Sequence, residues 1–157
     1  MKIILLVVGK TNEGWVKSAI SEYENRLKHY LPFQIEAIPD LKSTRSLTEN
    51  QIKIKEGEAI LSWKKPGDMM VLLDENGEMH SSESFATFLQ KKMNAGIRNL
   101  IFVVGGPYGF DSAVYTATTD RISLSKMTFS HQMVRVFFVE QVYRAMTILN
   151  GEPYHHS

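Results

Sequence analysis

Three short segments of this 157-residue chain carry residue types that could do chemistry. Gly9-Lys10-Thr11 ends an apolar run and mimics the close of a phosphate-binding loop. Such a loop needs a further glycine five positions before its Gly-Lys pair, so that backbone N–H groups can wrap the phosphates. That position is Ile4, in mid-strand, so the lysine has no cradle and the segment reads as a plain strand-to-loop turn. Gly105-Gly106-Pro107-Tyr108-Gly109 follows another apolar run. It lacks the spacing of a dinucleotide fingerprint. Two readings stay open: backbone left bare for the close approach of a ligand, or a tight turn that needs positive φ. The third segment, Leu124-Ser125-Lys126-Met127-Thr128-Phe129-Ser130-His131, mixes apolar and hydroxyl residues. Such a loop can wrap an adenine, with backbone groups for the base edge and side chains for its faces. In isolation it reads better as an ordinary strand-to-helix connection.

Histidines stand at 29, 80, 131, 155 and 156. None pairs at zinc-ligand spacing with a third ligand, so no metal site is expected. His155 and His156 belong to the closing Pro-Tyr-His-His-Ser, a tail of the kind that usually frays.

The elements that must position these residues follow from patterning. Uninterrupted apolar runs at 3–8, 69–73 and 100–104 suit strands covered on both faces, and the more polar 34–38 and a weaker run at 121–124 read as further strands. Between them, Trp15, Ala19, Tyr23, Leu27 and Tyr30 recur at helical spacing. Thr48 with Gln51 reads as a capping box. Ser82 is expected to cap a third helix, Gly96 to end it, and Asp111 to cap a short fourth. The longest helix runs from near Ser130 to Asn150-Gly151. It is apolar on more than one side, which suits a deep wedge in its own core or a contact with another subunit. Strand and helix alternate throughout, so a single α/β domain over 1–157 with a mostly parallel sheet is expected. Ligands of such sheets bind at the carboxyl ends of the strands.

Composition excludes several classes. Cysteine is absent, which removes disulfides, thiolate nucleophiles and sulfur-ligated metals, and fits a reducing compartment. The formal charge is +1, so any nucleic-acid contact needs a local patch, shape or more than one subunit. The longest apolar run is far short of the roughly 20 residues that span a bilayer, and a cytoplasmic protein with no membrane association is expected.

Taken together, Val103-Val104-Gly105-Gly106-Pro107-Tyr108-Gly109, the loop from Leu124 to His131, Val134-Arg135-Val136, Glu140-Gln141-Val142-Tyr143-Arg144-Ala145 and Pro153-Tyr154-His155 resemble one family. It is the ribosomal RNA large-subunit methyltransferase H family, of the SPOUT superfamily. The N-terminal strand, Glu22-Tyr23 and Lys55-Glu56-Gly57-Glu58 resemble it too. The resemblance implies a Rossmann-like parallel sheet with a C-terminal trefoil (α/β) knot and a homodimer. It also implies S-adenosylmethionine-dependent methylation of N3 of a pseudouridine in large-subunit rRNA, on an assembled ribosome. Its cofactor positions carry over to Leu73, Gly105, Leu124, Ser125, Lys126, Met127, Thr128 and Phe129. Ser130 stands where many members have proline, and it can cap the helix instead.

N3 must lose its imide proton, so a base near the target would help. Under this resemblance His155 is the candidate base, Tyr154 a stacking platform for a base, and Arg144 a contact to a phosphate or a uracil oxygen. Arg144 also has a plain reading, an intrahelical pair with Glu140. The competing functions are a SPOUT enzyme acting on another RNA such as tRNA, a non-catalytic ribosome-associated factor with this fold, and a flavodoxin-like module.

Overall fold

The computed structural model describes residues 1–156. Five strands form one parallel sheet in the order β2-β1-β4-β3-β5: β1 Lys2–Val8, β2 Phe33–Ile38, β3 Met69–Met79, β4 Asn99–Val104 and β5 Asp120–Ser123. The helices are α1 Gly14–Leu27, α2 Glu49–Leu61, α3 Ser82–Asn94, α4 Ser112–Ala117 and α5 His131–Leu149. The alternating order expected from the sequence is the order found.

The uninterrupted runs have the expected cause. Along β1, Ile3, Leu5 and Val7 face a core shared with α1, α3 and α5. Ile4 and Leu6 face a second core shared with α2 and α4. Neighbouring strand residues point to opposite faces, so a strand covered on both sides needs apolar residues at every position. α5 is the deepest helix: Phe138, Val139 and Val142 are fully buried, and Phe138 packs on Phe102 of β4 with centroids 4.7 Å apart. Its other side is left open at Phe137.

Two local expectations are corrected. Ser81, not Ser82, caps α3: its hydroxyl accepts from the Ser84 N–H at 3.1 Å, while the Ser82 hydroxyl reaches Gln141 of α5. β3 does not stop at Leu73 but runs on to Met79. Leu73 and Glu78 both register with Ile122 of β5, so residues 74–77 bulge out between them. Where the bulge closes, a Cβ on Gly77 would sit 2.7 Å from backbone atoms of Arg121 and Ile122. Only glycine allows the two chain segments to pass this closely.

Candidate cofactor cleft and C-terminal cluster

The bulge of β3 and the carboxyl ends of β4 and β5 open into a cleft of about 560 Å³, a size that suits a small-molecule ligand. Leu73 forms its wall where β3 bulges, and Gly105 follows β4. Leu124, Ser125, Met127, Thr128 and Phe129 close it from the loop after β5. Thus seven of the eight candidate cofactor residues meet around one space. Lys126 does not line it; its side chain is exposed.

The loop after β5 is shaped by its hydroxyl residues. The Ser123 hydroxyl donates to the Ser125 carbonyl at 3.0 Å, and the Ser125 hydroxyl accepts from the Met127 N–H at 3.0 Å. Ser130 caps α5 by accepting from the Met133 N–H at 3.2 Å, as expected. Phe129 packs on Phe137, with centroids 4.8 Å apart.

Several cleft residues were not singled out from the sequence. Asp74, Glu75 and Asn76 reach it from the bulge and Tyr115 from α4, while His131, the end of the third segment, lines it from the start of α5. The Tyr115 hydroxyl donates to the Asp74 carboxylate. Burial, and then this bond, push its phenol up to about 12. The guanidinium of Arg121 lies over the Tyr115 ring, 4.4 Å from its centroid.

Of the glycines after β4, Gly109 makes the tight turn at φ 79°, while Gly105 and Gly106 are needed for a different reason. A Cβ on Gly105 would meet the Phe110 ring at 3.1 Å, and one on Gly106 would run into the Glu56 carboxylate at 2.5 Å. The protein's own side chains fill the space that a ligand was expected to take, and neither residue has positive φ. The turn after β1 is also accounted for. Gln132 of α5 accepts from the Asn12 N–H at 3.0 Å and donates to the Lys10 carbonyl at 3.2 Å. Arg135, 1% exposed, donates to Thr11 Oγ1 and to the Val8 carbonyl. The first loop is thus pinned to α5 and offers no phosphate cradle.

The tail is ordered where fraying was expected. Pro153–His155 form a single 3-10 turn. The Tyr154 hydroxyl donates to Glu140 at 2.9 Å, and its ring packs on Tyr143 at 4.8 Å between centroids. Burial, and then bonds to Tyr23 and Glu140, raise the Tyr154 phenol well above its ordinary range. Arg144 forms the intrahelical pair with Glu140 at 2.6 Å, its second reading, and also reaches His155 Nδ1 at 3.2 Å. His155 Nε2 lies 2.8 Å from Glu83 Oε1 on α3. Arg144, Tyr154 and His155 are therefore gathered in one cluster, and none of them lines the cleft of the same chain.

The cleft suits a cationic adenosyl cofactor by its donor set. Leu73, Val104, Leu124 and Phe129 are apolar walls, the two glycine-bearing and hydroxyl-bearing loops present backbone groups, and Asp74 and Glu75 put carboxylates at the rim. Among the described residues, no group of three or more His, Asp or Glu side chains could hold a metal ion, and no helix is long and apolar enough to cross a membrane.

The chain is thus a parallel α/β protein whose cleft is formed by the β3 bulge and the loops after β4 and β5. The family model described as predicted SPOUT methyltransferase matches residues 1–155, and the chain belongs to that family. Among its relatives, a protein of Parabacteroides distasonis named ribosomal RNA large subunit methyltransferase H is 60% identical over 156 residues, covering 99% of both chains. Proteins of the same name from Christiangramia forsetii and Porphyromonas gingivalis are 58% and 59% identical, again over 99% of each chain.

Proposed function

We propose that this chain is an S-adenosylmethionine-dependent methyltransferase of large-subunit ribosomal RNA. It acts as a cytoplasmic homodimer on the ribosome and methylates N3 of a pseudouridine. The observation that carries this reading is the meeting of Leu73, Gly105 and the loop 124–129 around one cleft, in a chain matched end to end by relatives named for that rRNA activity. Family membership supports the trefoil knot in the C-terminal segment.

When bound, S-adenosylmethionine supplies a methyl group on a cationic sulfur that needs no further activation. The protein's work is then placement. Leu73 and Leu124 would hold the apolar part of the ligand, and Asp74 and Glu75 would complement its positive charge. Holding two reactants in line removes an entropic cost otherwise paid in the barrier. His155 receives the N3 proton, Arg144 holds a uracil oxygen as its charge grows, and Tyr154 presents an aromatic face to a base.

These three residues lie outside their own chain's cleft, which favours a partner subunit that brings its tail to the neighbouring cleft. Exposed Trp15, Met127, Phe129 and Phe137 supply an apolar surface for such an association. The test is methyl transfer from labelled cofactor to ribosomes of a deletion strain, with mass mapping of the product. One methyl on N3 of a single large-subunit pseudouridine is expected. Transfer to tRNA alone, or to no RNA despite cofactor binding, overturns the reading.

A further inference from the structure

The geometry points to Glu56 as a positioning residue for the cofactor cleft: its side chain, inserted beneath Gly106, holds the turn 105–110 in the shape that binds the ligand. The inference rests on the reading that this cleft takes the methyl donor. Glu56 stands on α2, which itself contributes nothing to the cleft lining. It is only 6% exposed, and its Oε1 has no hydrogen-bond partner. A buried carboxyl oxygen left without a partner is costly and calls for a reason.

The reason lies in what Glu56 touches. Both of its carboxyl oxygens occupy the place where a Cβ of residue 106 would be, 2.5 Å away. The next residue, Gly57, meets the far end of the same segment: a Cβ there would lie 3.0 Å from Val114 and 3.3 Å from Asp111, the cap of α4. Consecutive residues of α2 thus support both ends of the segment from Gly106 to Asp111. Gly106, Tyr108 and Phe110 within it, and Gly105 just before it, line the cleft. Glu56 therefore acts on the ligand through the backbone it supports and does not touch it. Burial, and then the neighbouring Asp40 carboxylate, push the Glu56 carboxyl above the usual range. A neutral amide of the same shape should serve equally well.

The experiment measures S-adenosylmethionine affinity by calorimetry on the full-length protein, with melting curves for every variant. Wild type must bind, and a wild type that does not bind refutes the proposed function, not this inference. Glu56→Gln should bind within about threefold of wild type, and Glu56→Ala should bind at least about tenfold more weakly. Gly106→Ala, which drives a methyl into the carboxyl group, should lose a similar amount. In the double variant Glu56→Ala/Gly106→Ala the methyl enters vacated space. It should bind more tightly than Gly106→Ala alone, a non-additivity expected only of groups in contact. Unchanged affinity in Glu56→Ala, or strictly additive losses in the double variant, overturns the inference. Should Glu56→Ala fail to fold, wild-type affinity in Gly106→Ala overturns it equally.

Discussion

His155 Nε2 lies 2.8 Å from Glu83 Oε1, and the second ring nitrogen of His155 lies 3.2 Å from the Arg144 guanidinium. Arginine only donates, so Nδ1 of a neutral imidazole accepts and Nε2 carries the proton given to Glu83. Both nitrogens are then engaged, and neither lone pair is free for a substrate proton. For His155 to serve as a base, Arg144 must move from Nδ1 toward the substrate, which is where its proposed role would take it. In the free protein, NMR of the imidazole nitrogens should therefore show one fixed tautomer, protonated at Nε2. Glu83→Ala should give a mixture of tautomers. A mixture already present in wild type would refute the docked arrangement.

Truncation after Pro153 should lower both stability and activity. The tail gives up the bonds of Tyr154 to Glu140 and of His155 to Glu83, together with the packing of Tyr154 on Tyr143. The expected loss is about 1–2 kcal/mol, or roughly 2–8 °C in melting temperature. Methyl transfer should fall on the order of a hundredfold, the scale of a lost acid–base group. Cofactor affinity, measured by calorimetry, should stay unchanged, because the proposed roles of the tail are toward the RNA base and its proton and not toward the cofactor.

Gly77→Ala should be among the most damaging single-methyl changes in the molecule. Its Cβ would lie 2.7 Å from backbone atoms of Arg121 and Ile122, which cannot turn aside as a side chain can. A loss of about 3 kcal/mol is expected, roughly 6–12 °C in melting temperature. Cofactor affinity should fall with it, because the bulge carries Asp74 and Glu75 to the cleft. Melting curves equal to wild type would show that β3 and β5 can separate there at little cost.

The strands were legible in the sequence because burial on both faces demands unbroken apolar runs, and β1 and β4 carry them. Residues 74–79 were not. Asp74-Glu75-Asn76-Gly77 has the composition of a loop, and only pairing with a strand more than forty residues later makes its flanks one strand. For the same reason Asp74 and Tyr115 were missed in the cleft: a bulge and a short helix bring them together, and no local pattern announces the meeting. Gly105 lines the cleft, and its lack of a side chain has a further cause. The sequence showed that a side chain was unwelcome after β4, but not that Phe110 and Glu56 fill the space.

The alkaline limb of stability should report the Tyr115–Asp74 bond. The folded phenol, at about 12, lies above its ordinary value of 10.0. A folded pKa raised in this way adds stability that is fully present below about 10 and is lost as pH rises toward about 12, because the unfolded chain releases its proton first. Tyr115→Phe should therefore melt lower than wild type at neutral pH, and the difference should shrink across that window. A difference constant with pH would separate Tyr115 from the titration.

The separation of cleft and tail within one chain makes a complementation test decisive for the proposed dimer. The protein should first behave as a dimer in light scattering, at roughly twice the 17.9 kDa chain mass. One variant is truncated after Pro153 and keeps its cleft. The other carries Gly105→Val, whose side chain must displace the Phe110 ring that lines the cleft, and keeps its tail. Each alone should be nearly inactive. When unfolded together and refolded, half of the dimers are mixed, and each mixed dimer pairs one intact cleft with one intact tail from opposite chains. Activity should return to about a quarter of the wild-type level if a tail serves the partner's cleft. If a tail serves its own cleft, each chain in the mixed dimer still lacks one part of its site, and mixing restores nothing.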